Sequence, residues 1–95
     1  MKILHLTLTK KWFDRVGVDK WEEYRYFGAW IKSRLMDRDL NRKHYDAVQF
    51  RNGYHRDAPK KTFEYLGFEY GIGNKEWGAS GLRQIIIKLG ERLKP

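Results

Sequence analysis

Lys20-Trp21-Glu22-Glu23-Tyr24-Arg25 is the stretch on which the interpretation of this chain depends, because charges of both signs stand there among large rings. A solvated helix face does not need Trp21 and Tyr24, and a plain buried strand does not carry Glu23 and Arg25. The stretch is therefore either a paired polar cluster in an aromatic-lined cleft or a chance group of surface residues.

Strand geometry decides which of these side chains can meet, because successive side chains on a strand point to opposite faces. On a strand from Lys20 to Tyr26, Glu23 and Arg25 can form an ion pair, whereas Glu22 faces the other way and cannot act with Glu23 as an acid/base pair. A buried pair is costly unless satisfied and often marks a ligand site, while an exposed pair contributes little. The residues alone leave both interpretations open. One face carries Trp21, Glu23, Arg25 and Phe27, and the other Glu22, Tyr24 and Tyr26.

Periodicity outside this stretch predicts an α+β fold. The later strands follow one another with no helix between them, which disfavours a parallel doubly wound sheet. We expect one domain over residues 1–95, a small, partly closed β-barrel of about five strands with two short helices. The predicted strands are residues 2–8, 20–26, 45–52, 62–70 and 83–89, and the predicted helices are residues 10–16 and 27–37.

The predicted elements also give a candidate core. Thr9 is the expected N-cap of the first helix, and Gly17 its stop. Asn52 and Gly53 signal a turn, and the glycine-rich loop 71–81 is expected to be a flexible connection with Trp77 as an anchor or rim residue. The core-facing side chains are expected to be Leu4, Leu6, Leu8, Val48, Phe50, Ile85, Ile87 and Leu89 on strands, and Phe27, Trp30, Ile31 and Leu35 on the second helix.

Composition narrows the class of protein. The 95 residues carry a net charge of +8 and no Cys, which excludes disulfides, thiolate metal sites and Cys nucleophiles. The three histidines have no metal-ligand spacing, and we expect neither a metal nor a cofactor. No apolar run approaches the length of a membrane span, so a soluble, cytoplasmic protein without a membrane partner is expected. A basic surface with many aromatic rings favours nucleic acid as the partner.

Two further groups of residues are weaker candidates for contact with nucleic acid. Arg51, Asn52 and Tyr54 lie at the end of the third strand, where they can hydrogen-bond base edges and stack on a base, although, taken alone, an ordinary hairpin with a basic solvent face explains them better. A scattered basic set can follow phosphates, but acidic residues interrupt it. Its members are Lys32, Arg34, Arg38, Arg42, Lys43, Lys60 and Lys61.

Gly17 followed by Lys20-x-x-Glu23-x-Arg25 resembles the G-x-K-x-x-E-x-R signature of ASCH domains, small PUA-like barrels that include bacterial and phage-type members. Val18 stands where the signature has Gly, which occurs one residue earlier here. The resemblance extends to residues 1–14, 45–54, 76–78 and 85–90. It implies a cleft beside the first helix, lined by the motif residues, that binds RNA or a nucleotide-containing ligand.

Some ASCH members are amidohydrolases of acetylated cytidine that use a Lys, a Thr three residues later and a distant Glu, and others are ribonucleases. Lys20 matches that Lys, but Glu23 stands in place of the Thr, and the distant Glu has only Glu64, Glu69 and Glu76 as candidates. The leading expectation is therefore a binding module. In it Lys20 and Arg25 contact phosphate or a base, Glu23 orients Arg25, Trp21 or Tyr24 stacks, and Arg51, Asn52 and Tyr54 border the cleft. The alternative is a small hydrolase acting on a modified nucleoside or RNA, with Lys20 and Glu23 catalytic.

Overall fold

The computed structural model describes residues 1–94, and its elements follow the predicted order. None of the helices in this part of the chain has the length and apolar character needed to cross a membrane. The strands are Ile3–Leu8 (β1), Glu22–Arg25 (β2), Ala47–Asn52 (β3), Lys60–Ile72 (β4) and Arg83–Leu93 (β5); the α-helices are Lys10–Arg15 (α1) and Ala29–Leu35 (α2), and Lys75–Trp77 forms a 3-10 turn.

The five strands form one mixed sheet in the order β1-β3-β4-β5-β2. The β1–β3 pair is parallel and the other pairs are antiparallel. Register shifts between β4 and β5 occur around Tyr65, where irregular pairing increases the local twist. The sheet curls into a half-barrel, so the predicted α+β, barrel-like fold with two short helices is confirmed at this level.

The core lies inside the curl, and the alternation of β1 fills it as predicted. Leu4, Leu6 and Leu8 are buried, as are the predicted core residues of β3 and β5. Gly17 lies at the end of α1 with φ +79°, and a Cβ at this position would lie 2.5 Å from the Phe63 ring. Glycine is therefore required there both by backbone conformation and by close approach.

The second helix is shorter than the predicted residues 27–37, and half of its predicted stripe is wrong. Ile31 and Leu35 are buried, but Phe27 precedes the helix and Trp30 is 51% exposed. The backbone is extended at Gly28, which breaks the helical phase between Phe27 and the rest. Seven residues make only about two helical turns. Ile31 and Leu35, four residues apart, are the helix residues that face the core.

Other boundaries also differ from the predicted ones. β2 begins at Glu22, because Lys20 belongs to the turn after α1, where it forms an isolated bridge with Val16. β4 and β5 are longer than predicted, since each pairs with the other along most of its length. Consequently β5 extends four residues beyond its predicted end at Leu89, to Leu93.

Candidate functional site

The Lys20 side chain is buried where the turn after α1 meets the 3-10 turn. Its residue is 2% exposed, and its Nζ donates to the Trp77 carbonyl oxygen at 2.5 Å. The same Nζ lies 3.3 Å from Glu23 Oε1. It also lies 5.1 and 4.9 Å from the ring centroids of Trp12 and Tyr24. A carbonyl, a carboxylate and two ring faces together replace the water that this ammonium loses on burial.

Glu23 joins Lys20 to Arg25. Its side chain is 7% exposed, and its Oε2 accepts from Arg25 Nε at 2.9 Å while Oε1 faces Lys20. Arg25 Nη2 lies 2.8 Å from the same Oε2 and donates to the Thr7 carbonyl oxygen at 2.9 Å. The predicted Glu23–Arg25 pair is therefore present and largely buried, and the alternative of an exposed surface pair is wrong.

The cluster of Lys20, Glu23 and Arg25 has two cations for one carboxylate and therefore a net charge of +1. Burial lowers the pKa of Lys20; the Glu23 carboxylate opposes this effect, and Arg15 and Arg25 add to it. The Arg25 side chain is 25% exposed, and its Nη1 has no hydrogen-bond partner among the described residues. The excess positive charge is thus available at Arg25 and enclosed at Lys20.

The cluster separates two cavities of different size. A cavity of about 100 Å³ lies on the Lys20 side, lined by Lys20, Glu23 and aromatic residues. A cleft of about 270 Å³ lies on the Arg25 side and includes Trp30 and Tyr54. Ligand pockets usually start at about 300 Å³, so only the Arg25 cleft approaches the size that a nucleotide-like group needs.

The opposite face of β2 holds a second polar group. Tyr24 Oη donates to Glu22 Oε1 at 2.7 Å and accepts from the Asn74 backbone N–H at 3.0 Å. Burial raises the pKa of Tyr24 to about 12. Glu22 also pairs with Lys88. This group fixes the segment leading into the 3-10 turn, and therefore the Trp77 carbonyl that receives Lys20.

The predicted site residues are only partly brought together. Lys20, Glu23 and Arg25 converge, and Tyr54, which is 88% exposed, lines the cleft with Arg25. Trp21 instead packs edge-on against Phe63, with 6.1 Å between ring centroids. Arg51 Nη2 donates to the His55 carbonyl oxygen, and the Asn52 N–H donates to Pro59. The two cavities next to the cluster are not lined by Trp21, Arg51 or Asn52.

Three tryptophans that the sequence did not assign to the site lie beside it. Trp12 and Trp77 line the small cavity, and Trp30 lines the cleft. Trp12 lies on α1 and Trp77 on the 3-10 turn, far apart along the chain, so no local spacing signals their meeting. The three glutamates considered for a distant catalytic role, Glu64, Glu69 and Glu76, do not line either cavity.

The scattered basic set divides into structural and free members. Lys61 Nζ donates to the carbonyl oxygens of Phe13 and Val16 at the end of α1, at 2.7 and 3.1 Å. Lys43 Nζ donates to the Ser33 carbonyl oxygen, and the Arg42 guanidinium donates to that of Phe68. These cations satisfy backbone acceptors, so a continuous phosphate track through the whole set is not formed.

Within residues 1–94 no group of three or more His, Cys, Asp or Glu side chains is arranged to hold a metal ion. No protein-family model, curated protein or solved structure matches the chain. The functional interpretation therefore depends on the geometry of the cluster and the clefts beside it.

Proposed function

We propose that this chain is an RNA-binding or nucleotide-binding module of the ASCH type, with a PUA-like barrel. The observation that carries the proposal is the net charge of +1 on the Lys20, Glu23 and Arg25 cluster, with its one partly exposed cation at a cleft. Glu23 holds the guanidinium of Arg25 in place, and the unpartnered Nη1 is ready to donate to a phosphate oxygen or a base acceptor. An anion there restores charge balance.

The roles within the cluster differ. Arg25 contacts the ligand, because it combines partial exposure with a free donor. Lys20 is a positioning residue, since an ammonium that is 2% exposed reaches no ligand without leaving its enclosure. It holds Glu23 in the orientation that meets Arg25. Tyr54 borders the same cleft and offers a ring.

The test is the affinity for a fluorescent RNA oligonucleotide and for a nucleoside monophosphate, measured by polarisation at several salt concentrations. Arg25→Ala is expected to weaken binding about tenfold to 100-fold, the effect of losing a charge-assisted contact. It should also make the salt dependence shallower by about one phosphate contact. The matched control is Arg92→Ala, which removes the same charge at the far, exposed end of β5. If Arg25→Ala, alone or with Lys20→Ala, binds RNA as tightly as the Arg92→Ala control, this site is wrong.

One observation favours a hydrolase as the second candidate. The pKa of Lys20 is lowered chiefly by burial, as for a lysine that serves as a base or nucleophile, and Glu23 and the small cavity adjoin it. Turnover of acetylated cytidine, or RNA cleavage, that Lys20→Ala abolishes and Arg92→Ala leaves unchanged would establish this activity. Without such turnover in the wild-type protein, binding alone remains.

A further inference from the structure

A groove follows the free edge of β1. The cleft beside Arg25 includes His5, Leu6 and Thr7, and a second cavity of about 260 Å³ includes Ile3, Leu4 and His5. Consecutive residues of one strand line the two cavities, and His5 belongs to each, so the cavities adjoin at this residue and together follow the strand. β1 pairs only with β3 in the sheet and is an edge strand, so residues of both of its faces can border the groove along its free edge.

The other wall of the groove comes from α2. Trp30 and Arg34 are four residues apart and so project from the same side of the helix. Trp30 lines the cleft with Arg25, and Arg34 lines the second cavity. The Arg34 guanidinium carbon lies over the Trp30 ring, 5.4 Å from its centroid, and Trp30 remains 51% exposed. A ring and a cation in this arrangement can offer a stacking surface and a positive charge to one ligand.

Each cavity of this groove is lined by one arginine and by aromatic rings. Arg25 lines the cleft with Trp30 and Tyr54, and Arg34 lines the second cavity with Tyr45. No Asp or Glu is among the described residues that line the two cavities. Cations beside aromatic rings are the pattern by which proteins hold a single strand of nucleic acid, with bases stacked on exposed rings and phosphates on arginines.

We infer that the ligand is single-stranded RNA, laid along the edge of β1 with bases stacked on Trp30 and Tyr54 and phosphates at Arg25 and Arg34. This inference rests on the proposed function and specifies its ligand. A strand of six residues is about 20 Å long, enough for a short run of nucleotides. In a duplex the bases stack on each other and do not reach protein rings, so the exposed rings select an unpaired strand.

The test compares a single-stranded RNA of about 12 nucleotides with the same sequence annealed to its complement, a length suited to one small binding domain. Single-stranded RNA is expected to bind at least about tenfold more tightly than the duplex, and Trp30→Ala to weaken single-strand binding by about tenfold. Trp30→Phe should recover part of that loss, because Phe keeps a stacking surface. The matched control is Tyr70→Ala, which removes a ring that is 52% exposed on β4, outside the groove.

The outcomes separate the ligand class from the site itself. One outcome is that duplex and single-stranded RNA bind equally, that Trp30→Ala and Tyr70→Ala have the same affinity for RNA, and that Arg25→Ala still weakens binding. In that case the proposed function stands and the single-strand inference fails. If neither RNA nor a nucleoside monophosphate binds, both fail; if only the monophosphate binds, the single-strand inference alone fails. If an acidic peptide binds as tightly as RNA and with the same dependence on Trp30, the groove receives an extended polypeptide and the inference is likewise overturned. Unfolding curves for each variant exclude loss of fold as the cause.

Discussion

Replacing Glu23 with Gln removes the only carboxylate in contact with Lys20 among the described residues while keeping the shape of the side chain. The amide oxygen can still accept from Arg25, so the main loss is the counter-charge of a lysine that is 2% exposed. Removing one member of a buried ion pair generally costs about 3 to 5 kcal/mol. We expect Glu23→Gln to lower the free energy of unfolding by about 3 kcal/mol at pH 7.

The unfolding free energy that Glu23→Gln loses has an upper limit that depends on pH. An ammonium in an unfavourable site can lose its proton, which from the ordinary pKa of 10.5 costs roughly 5 kcal/mol at pH 7 and roughly 0.7 kcal/mol at pH 10. Burial already lowers the pKa of Lys20, and the loss of Glu23 lowers it further. The unfolded state then binds more protons between the two pKa values, so the stability of the variant rises with pH in that range. The deficit relative to wild type should shrink to about 1 kcal/mol at pH 10.

The assay is urea unfolding of wild type and variant at pH 7 and pH 10. Tyr24, with its pKa raised to about 12, stays protonated at both values and does not obscure the comparison. Glu22→Gln is the matched control, because Lys88, its partner, is 38% exposed, and its loss should cost no more than about 1 kcal/mol. A Glu23→Gln deficit that is equal at pH 7 and pH 10 would refute the reasoning, since it would show that Lys20 is not the group that carries the cost.

Two further predictions concern the positions that support the site. Gly17→Ala should cost more than about 1 kcal/mol in thermal unfolding, because both its φ of +79° and the Phe63 ring oppose a Cβ. Gly53→Ala has a similar φ of +84° but open space around it, so a loss as large as that of Gly17→Ala would contradict the steric part of this explanation. Tyr24→Phe should cost about 1 to 2 kcal/mol in urea unfolding, because the Asn74 N–H loses its acceptor and Glu22 a donor. The control is Tyr26→Phe at a residue 82% exposed, and the explanation fails if both losses are the same.

Local sequence patterns were sufficient to predict the strands and the Glu23–Arg25 pair of the cluster. The leucines of β1 alternate with polar residues, and such alternation decides which face is buried whatever the rest of the chain does. Glu23 and Arg25 are two apart on one strand, so their pairing follows from the period of the strand alone. Both features depend only on nearby residues.

The remaining parts of the site depend on contacts between distant segments. Trp77 reaches Lys20 only because the 3-10 turn folds back over β2, and the Tyr24 hydroxyl that fixes this turn bonds to Asn74, fifty residues along the chain. Trp30 was predicted to be in the core because a helix starting at Phe27 would place both on one stripe. The extended backbone at Gly28 removes that phase relation, and Trp30 faces the groove instead.

The bond from Arg25 to the Thr7 carbonyl has a consequence for self-association. It joins the two outer strands of the half-barrel and occupies a backbone acceptor that another chain would need in order to extend the sheet. Edge strands with free acceptors are templates for aggregation, and cations beside them are a common protection. We therefore expect that neutralising both Arg25 and Arg34 makes this protein more prone to form sheet-extended oligomers.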